Sequence, residues 1–313
     1  MNDLNRIVEL LTKETQTPIL LENLVNLYTK NSLHTKRLGT YEYECKHLEI
    51  MTRYFDSKKI YYTKDITLDS IYDFIEFQKH KNISNNTINK RVGVLKQCLN
   101  FSVKNGFIRG NPIQAVTMMR VRTRETITIP RHIILDILRY LNSLKPTPSN
   151  LRNKVIVYLL LDTGMRLSEL VNLKIENINL SDNMINLTYT KTSMDRTVFI
   201  SDKTTQLLTE YKKLLNRNYG ALIIEFRNDK KVIPRYINHI LSDIAKTLNI
   251  TQSISPHKWR HTYATMCLQN GANLEFVRKT LGHSNLQTTQ KYLHLERKNL
   301  VEQHKAYSPL SKL

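Results

Sequence analysis

The stretch from Ser255 to Tyr292 constrains this chain most, because its punctuation fixes where helices start and stop while its side chains concentrate cations. Ser255 followed by Pro256 predicts a helix start: the serine oxygen can cap an exposed amide, and proline suits the first helical position, where a missing N–H costs nothing. His257 and Arg260, three residues apart, then share one face near the positive end of that helix, where anions are favoured. Asn270 and Gly271 end the helix, Asn273 to Thr280 reads as a second short one, and Gly282 releases the chain just before His283. Ser284 with Gln287 makes a capping-box pattern for the element leading to Tyr292. The helices hold cations, and the last turn holds an oxygen nucleophile.

A cluster of this kind needs an anionic partner, and the charge balance supplies the same requirement. The 313 residues carry 47 lysines and arginines against 27 acidic groups, a formal charge of +20. Such an excess repels itself in a compact fold unless a polyanion relieves it, so nucleic acid is the expected partner. The excess is uneven: residues 1–120 hold 18 basic and 12 acidic side chains, residues 121–313 hold 29 and 15. The second part has the stronger claim on a phosphate backbone. A basic membrane-surface protein is the rival reading, but the sequence has no long apolar span and no basic-plus-apolar leader. Cys45, Cys98 and Cys267 are odd in number and far apart, which excludes a disulfide framework and points to a reducing cytoplasm.

With 41% hydrophobic residues the chain can build real cores, and its length predicts two domains. Pro18 breaks the first stretch before Ile19 to Tyr28. Tyr41, Cys45, Leu48, Met51 and Phe55 then recur at helical spacing, as do Ile88, Val92, Leu95 and Leu99, with a shorter helix through Leu68, Ile71, Phe74 and Ile75 between them. These stripes are core, and they predict an all-helical domain over 1–117. From 118 to 130 basic residues alternate with apolar ones and threonines before Pro130, which fits an extended linker better than a helix. Arg120, Arg122 and Arg124 would point along one side of it, either as a strap on DNA or as a solvated basic connector.

Residues 131–313 predict a second, mixed domain. Its first helix runs through Ile134, Ile137, Leu138 and Leu141, and a second from Leu151 to Leu161 stops at Gly164. Arg166 stands at the junction into the next helix, either as a positioned charge or as a surface partner of Glu169. From Met184 to Ile200 the period changes to two, with a polar turn between, so a hairpin is expected with Lys191 and Arg196 near its tip, Arg196 being a DNA-binding candidate. Helices through Leu207, Tyr211 and Leu214 and through Ile237, Leu241, Ile244 and Leu248 follow, with a strand at Leu222 to Phe226 between them. The fold class expected is mainly α with a small β-sheet.

Taken together, Arg166, Lys191, His257, Arg260, His283 and Tyr292 suit phosphoryl transfer. Planar guanidinium matches the two non-bridging oxygens of a phosphodiester and stays charged. A tyrosine can attack phosphorus and conserve the bond in a phosphotyrosine link, while lysine or histidine protonates the departing sugar oxygen. No metal and no other cofactor is required, because fixed cations stabilise the transferring phosphoryl group. A zinc reading of His257, His261 and His283 has no H-E-x-x-H pattern and few nearby carboxylates to support it. For His239, His261 and His294 a capped or buried structural role stands level with a chemical one.

The residues T-G-M-R-L-S-E-L at 163–170, Lys191 in the hairpin, H-K-W-R-H-T at 257–262, L-G-H-S at 281–284 and Tyr292 in T-T-Q-K-Y-L-H resemble the tyrosine recombinase, or phage integrase, family. The resemblance implies an all-helical core-binding domain and a mixed α/β catalytic domain forming a C-shaped clamp on double-stranded DNA. It further implies Arg166, Lys191, His257, Arg260, His283 and Tyr292 as the active-site set, a 3'-phosphotyrosine intermediate, and Lys191 as general acid. Four protomers would exchange strands in pairs through a Holliday junction. Trp259 departs from the smaller aliphatic residue usual between the histidine and arginine, and is expected to alter packing alone. The organisation resembles compact Xer-like recombinases or integrases of small mobile elements, and the lysine- and asparagine-rich helix faces lead us to expect a mobile element. Two alternatives are a type IB topoisomerase-like strand transferase, which would act as a monomer, and a basic DNA-binding regulator, which has no use for the tyrosine.

Overall fold

The computed structural model describes residues 19–121, 128–188 and 195–282. The chain divides into two compact units, Met1–Arg124 and Glu125–Leu313.

In the first unit four α-helices are described: α1 (Leu21–Thr35), α2 (Leu38–Ser57), α3 (Leu68–His80) and α4 (Asn85–Lys104). Their limits follow from local chemistry. Thr67 and Ser70 cap the start of α3 reciprocally, Ser84 accepts from the Thr87 amide at the start of α4, and Asn105 with left-handed Gly106 ends α4. The stripes read from sequence meet in one core in which Leu48, Met51, Phe55, Ile71, Phe74, Ile88, Val92, Leu95 and Leu99 are all buried. Tyr54 packs edge-on against Phe74 with ring centroids 5.1 Å apart, and Phe74 itself is fully enclosed. Tyr41 and Cys45 are only half-buried, so the stripe on α2 is narrower than its spacing suggests.

One buried polar knot was not foreseen. The Glu44 carboxylate, 2% exposed, accepts from Tyr28 (3.1 Å), Ser32 (2.5 Å) and Lys36 (2.6 Å), joining α1 to α2. Burial raises the Tyr28 hydroxyl pKa to about 12, so the phenol remains a donor to this carboxylate at any physiological pH. Just after the helical core, Asn89 holds Met119 by a donor and an acceptor contact (2.8 and 3.1 Å), and Asn85 donates to the Arg120 carbonyl at 3.2 Å. The extended segment carrying Arg120 is therefore tied to α4 where it begins.

The second unit is built around α6 (Pro148–Thr163), which follows α5 (Arg131–Ser143). Leu151, Val155, Ile156, Val157, Leu159 and Leu160 of α6 are buried on all sides, the pattern of a helix enclosed by its neighbours. A short α7 (Leu167–Asn172) leads to an antiparallel sheet ordered β1 (Ile178–Asn179), β2 (Met184–Leu187) and β3 (Arg196–Phe199). Met184 pairs with Phe199 and Leu187 with Arg196, which is the hairpin expected from the period-two stretch. The strand β1, only two residues long, was not read from sequence.

Then come α8 (Asp202–Leu215), a small hairpin of β4 (Ile224–Glu225) with β5 (Lys230–Lys231), α9 (Pro234–Thr247), α10 (Pro256–Gln269) and α11 (Leu274–Leu281). The expected strand at 222–226 is thus shorter in the structure. Helix α10 starts where the Ser-Pro pair places it, with one correction: the Ser255 side chain makes no capping bond, and its carbonyl instead accepts from the Lys258 and Trp259 amides. Trp259 is fully buried in the core formed around α6, so the bulk of this side chain is absorbed beneath α10. Among the described residues no helix is long and apolar enough to cross a membrane.

Candidate active site

Helices α6 and α11 are each capped directly by a left-handed glycine, and the carbonyls at those ends organise the site. Gly164 closes α6 with φ +59° and Gly282 closes α11 with φ +63°. In that conformation the last carbonyls point away from the helix axis and become free to accept side chains. Arg260 on α10 donates to Gly164 O at 3.0 Å and to Leu281 O at 2.6 Å. Arg166, at the start of α7, donates to Gly282 O at 2.9 Å. The two arginines therefore stitch together the ends of α6 and α11 and the starts of α7 and α10. Arg260 is 7% exposed, while 23% of the Arg166 side chain is exposed.

A third contact fixes Arg166. The Glu169 carboxylate, on the first turn of α7, accepts from the Arg166 amide at 2.7 Å and from its guanidinium at 3.0 Å. It also takes both terminal nitrogens of Arg196 on β3, at 2.6 and 2.8 Å. Burial alone would push the Glu169 carboxyl upward, but the bonds from Arg196, from the Arg166 amide and from the Arg166 charge outweigh it and hold the pKa below the usual glutamate range. The reading of Arg166 as a surface partner of Glu169 is corrected in its place: the pair forms, but the Glu169 side chain is 1% exposed, so the pairing lies inside the fold and holds the guanidinium in position.

The space around these glycines is full. A Cβ on Gly164 would lie 2.5 Å from Cδ1 of Tyr263 and 2.9 Å from Cδ2 of Leu281. Gly164→Ala therefore combines left-handed strain with a core clash, and is expected to cost about 3 kcal/mol. Urea denaturation of the variant checks this; a loss no larger than the strain alone, about 1 kcal/mol, would show that the ring moves aside, and an unchanged midpoint would overturn both costs.

His257 and His261 stand one turn apart on α10, with their Nε2 atoms 2.8 Å apart and their rings perpendicular. One ring must donate and the other accept, so their tautomers are linked. His257 is exposed and His261 is 3% exposed, which makes His261 the inner support of a histidine that faces outward.

Arg166, His257 and Arg260 are thus brought to the ends of adjoining helices. Lys191, His283 and Tyr292, with Arg122 and Arg124, lie outside the described residues. Arg120 is exposed. Arg196 departs from the expectation of a hairpin-tip residue reaching for DNA: its side chain is 8% exposed, its Nε donates to Thr280 O at 2.6 Å, and its two other nitrogens are spent on Glu169. The parity of β3 explains the direction, since Arg196 shares a face with buried Val198. Glu169 itself was weighed only as a surface partner; the signal available was its position three residues into a helix headed by Arg166.

Chemically, the arrangement offers guanidinium groups held by carbonyls and a carboxylate before any ligand arrives, which suits stabilisation of a charged phosphoryl group. Among the described residues no group of three or more His, Cys, Asp or Glu side chains is placed to hold a metal ion.

Comparison with known proteins gives a consistent result. Residues 131–299 match the phage integrase family, and residues 20–118 match the phage integrase SAM-like domain. A tyrosine recombinase XerC of Lactobacillus delbrueckii subsp. bulgaricus is 30% identical over 233 residues, covering 72% of this chain and 78% of that one. The XerC of Thermodesulfovibrio yellowstonii is 29% identical over 256 residues, with 77% and 82% covered. Among solved structures, a lambda integrase dimer bound to a COC' core site superposes with a TM-score of 0.74 at 15% identity, covering 93% of this chain and 81% of that one. The Tn1549 transposon integrase in complex with transposon right end DNA gives 0.71 at 17% identity, with 91% and 99% covered.

Proposed function

Since the chain belongs to the phage integrase family of tyrosine recombinases and is an enzyme of site-specific DNA recombination, we propose that Arg166, Lys191, His257, Arg260, His283 and Tyr292 form its active site. Tyr292 Oη attacks the scissile phosphorus while its phenolic proton passes to a histidine of the set, the P–O5' bond breaks, and the enzyme is left as a 3'-phosphotyrosine. Lys191 gives its proton to the departing 5'-oxygen, which leaves as a hydroxyl. Arg166 and Arg260 hold the non-bridging oxygens as negative charge gathers on them. His257, supported by His261, and His283 assist the same centre by donating to the phosphate or passing protons near neutrality. The second strand is exchanged in the same way, through a Holliday junction in an assembly of four protomers on paired core sites.

The observation that carries this reading is the anchoring of Arg260 and Arg166 on the Gly164, Leu281 and Gly282 carbonyls. Such anchoring fixes charge in place at the cost of burying it, which a protein that only needed basic surface would not require. In the same reading the helical part, 1–117, grips DNA, 118–130 connects, and 131–313 is catalytic. Arg120, Arg122 and Arg124 contribute phosphate contacts along the connector.

The test is a suicide duplex carrying a core site selected by repeated binding from a randomised pool. Cleavage should release a short strand and trap a covalent protein–DNA adduct stable to denaturant. Binding with no adduct would favour the regulator. Relaxation of supercoils by a monomer that never pairs two sites would favour a type IB topoisomerase-like activity.

A further inference from the structure

Resting on the active-site reading above, we propose that Arg196 is a positioning residue for strand transfer, acting through Glu169 on Arg166. The geometry is unusually complete. Each Glu169 oxygen serves both arginines: Oε1 takes Arg166 Nη1 at 3.0 Å and Arg196 Nη1 at 2.6 Å, while Oε2 takes the Arg166 amide at 2.7 Å and Arg196 Nη2 at 2.8 Å. A glutamate's terminal torsion is broad by itself. A bidentate guanidinium fixes the carboxylate plane, and that plane decides where Arg166 is held.

Arg196 also reaches the other anchor of Arg166. Its Nε donates to Thr280 O at 2.6 Å, and its Cδ and Nη1 lie 3.0 Å from the position a Cβ would take on Gly282. Gly282 is the residue whose carbonyl receives Arg166 Nη2. Arg196 therefore braces both the carboxylate and the turn between which Arg166 is stretched.

The charges give a second reason. One buried carboxylate facing Arg166 alone would make a neutral pair and draw the guanidinium to itself. With Arg196 present, the three groups sum to one positive charge, and Glu169 shares its oxygens with a second cation. The attraction of Arg166 for a phosphate is preserved while its position is fixed. Arg196 itself is 8% exposed, with all three nitrogens of its side chain engaged, so it is not placed to contact DNA.

The test uses the full chain and the same suicide duplex. Arg196→Lys keeps the charge and loses the fork. It is expected to melt near the wild-type temperature, to bind the core site within about threefold and with an unchanged salt slope, and to cleave about 10–100-fold more slowly at saturating protein. A second duplex carries a methylphosphonate at the scissile position, which removes the negative charge that Arg166 meets. On it the Arg196→Lys deficit should shrink, in parallel with that of Arg166→Ala.

A wild-type cleavage rate from folded Arg196→Lys would overturn the proposal. So would an equal loss on both duplexes that follows the loss of melting temperature, which means a structural brace only, or weaker binding with a shallower salt slope, which means a phosphate contact. If Arg196→Lys does not fold, the uncharged pair Glu169→Gln with Arg196→Gln replaces it, and undiminished cleavage by that pair refutes the idea. Absence of any adduct from the wild-type chain would overturn the parent reading and this one together; a wild-type adduct with an unimpaired Arg196→Lys overturns this one alone.

Discussion

Tyr292→Phe is expected to bind a core-site duplex within about threefold of wild type and to give no covalent adduct, a loss of about four orders of magnitude or more in strand cleavage. The two effects separate because they rest on different groups. Affinity comes from the basic side chains that meet phosphates, and removing one hydroxyl leaves all of them in place. Cleavage needs an oxygen that attacks phosphorus and becomes esterified to it, and a phenyl ring offers none. Fixed guanidinium groups such as Arg166 and Arg260 can still polarise the phosphate, but without the tyrosine only adventitious water could attack. The measurement is a denaturing gel of the suicide duplex beside a binding titration. An adduct of undiminished yield would place the nucleophile on another residue.

Much of this arrangement was legible in the sequence wherever the cause is local. Helix α4 could be read from Ile88 to Leu99 and closed at Asn105 because a helical stripe and its stop signal lie within a few residues of each other. The β2–β3 hairpin showed itself as a switch to period two for the same reason. Gly164 and Gly282 could be placed as helix ends, since a left-handed turn is what glycine permits. What those ends are for could not be read, because the acceptors for Arg260 and Arg166 are backbone carbonyls, and every residue has one. The distances between Arg260 and Gly164 or between Arg166 and Gly282 in the chain leave no local trace.

Arg196 is a different case, in which the signal was present and was read in part. The period-two stretch ends on Val198 and Ile200, both buried, and parity puts Arg196 on that same face. A hairpin-tip arginine on a basic protein suggested DNA, whereas two more residues of alternation pointed inward to a buried carboxylate. The Glu44 knot in the first unit was missed for a related reason: a glutamate on a stripe of charges reads as surface, and only the partners Tyr28, Ser32 and Lys36 on the preceding helix and its end make it core.

The buried carboxylate also carries the largest stability effect expected outside the hydrophobic core. Glu169→Ala should destabilise the second unit by about 3–5 kcal/mol, since it leaves a guanidinium on Arg196 that is almost wholly enclosed and has lost its counter-charge. Arg166 can turn partly to water and softens the loss less than the geometry of Arg196 enforces it. The pH dependence has a definite sign. The folded pKa of Glu169 lies below the ordinary value of 4.5, so the unfolded chain binds more protons than the folded one between the two values, and stability rises with pH there. The contribution is complete above about pH 4.5 to 5 and is lost as pH falls through the depressed value. Against Glu169→Gln, which keeps the shape and cannot ionise, wild type should hold a constant advantage in urea midpoint from pH 7 to about pH 5 and lose it progressively in more acid solution. An advantage that stayed constant down to about pH 3 would mean that the carboxylate charge contributes nothing, and that shape and hydrogen bonds alone hold the two arginines.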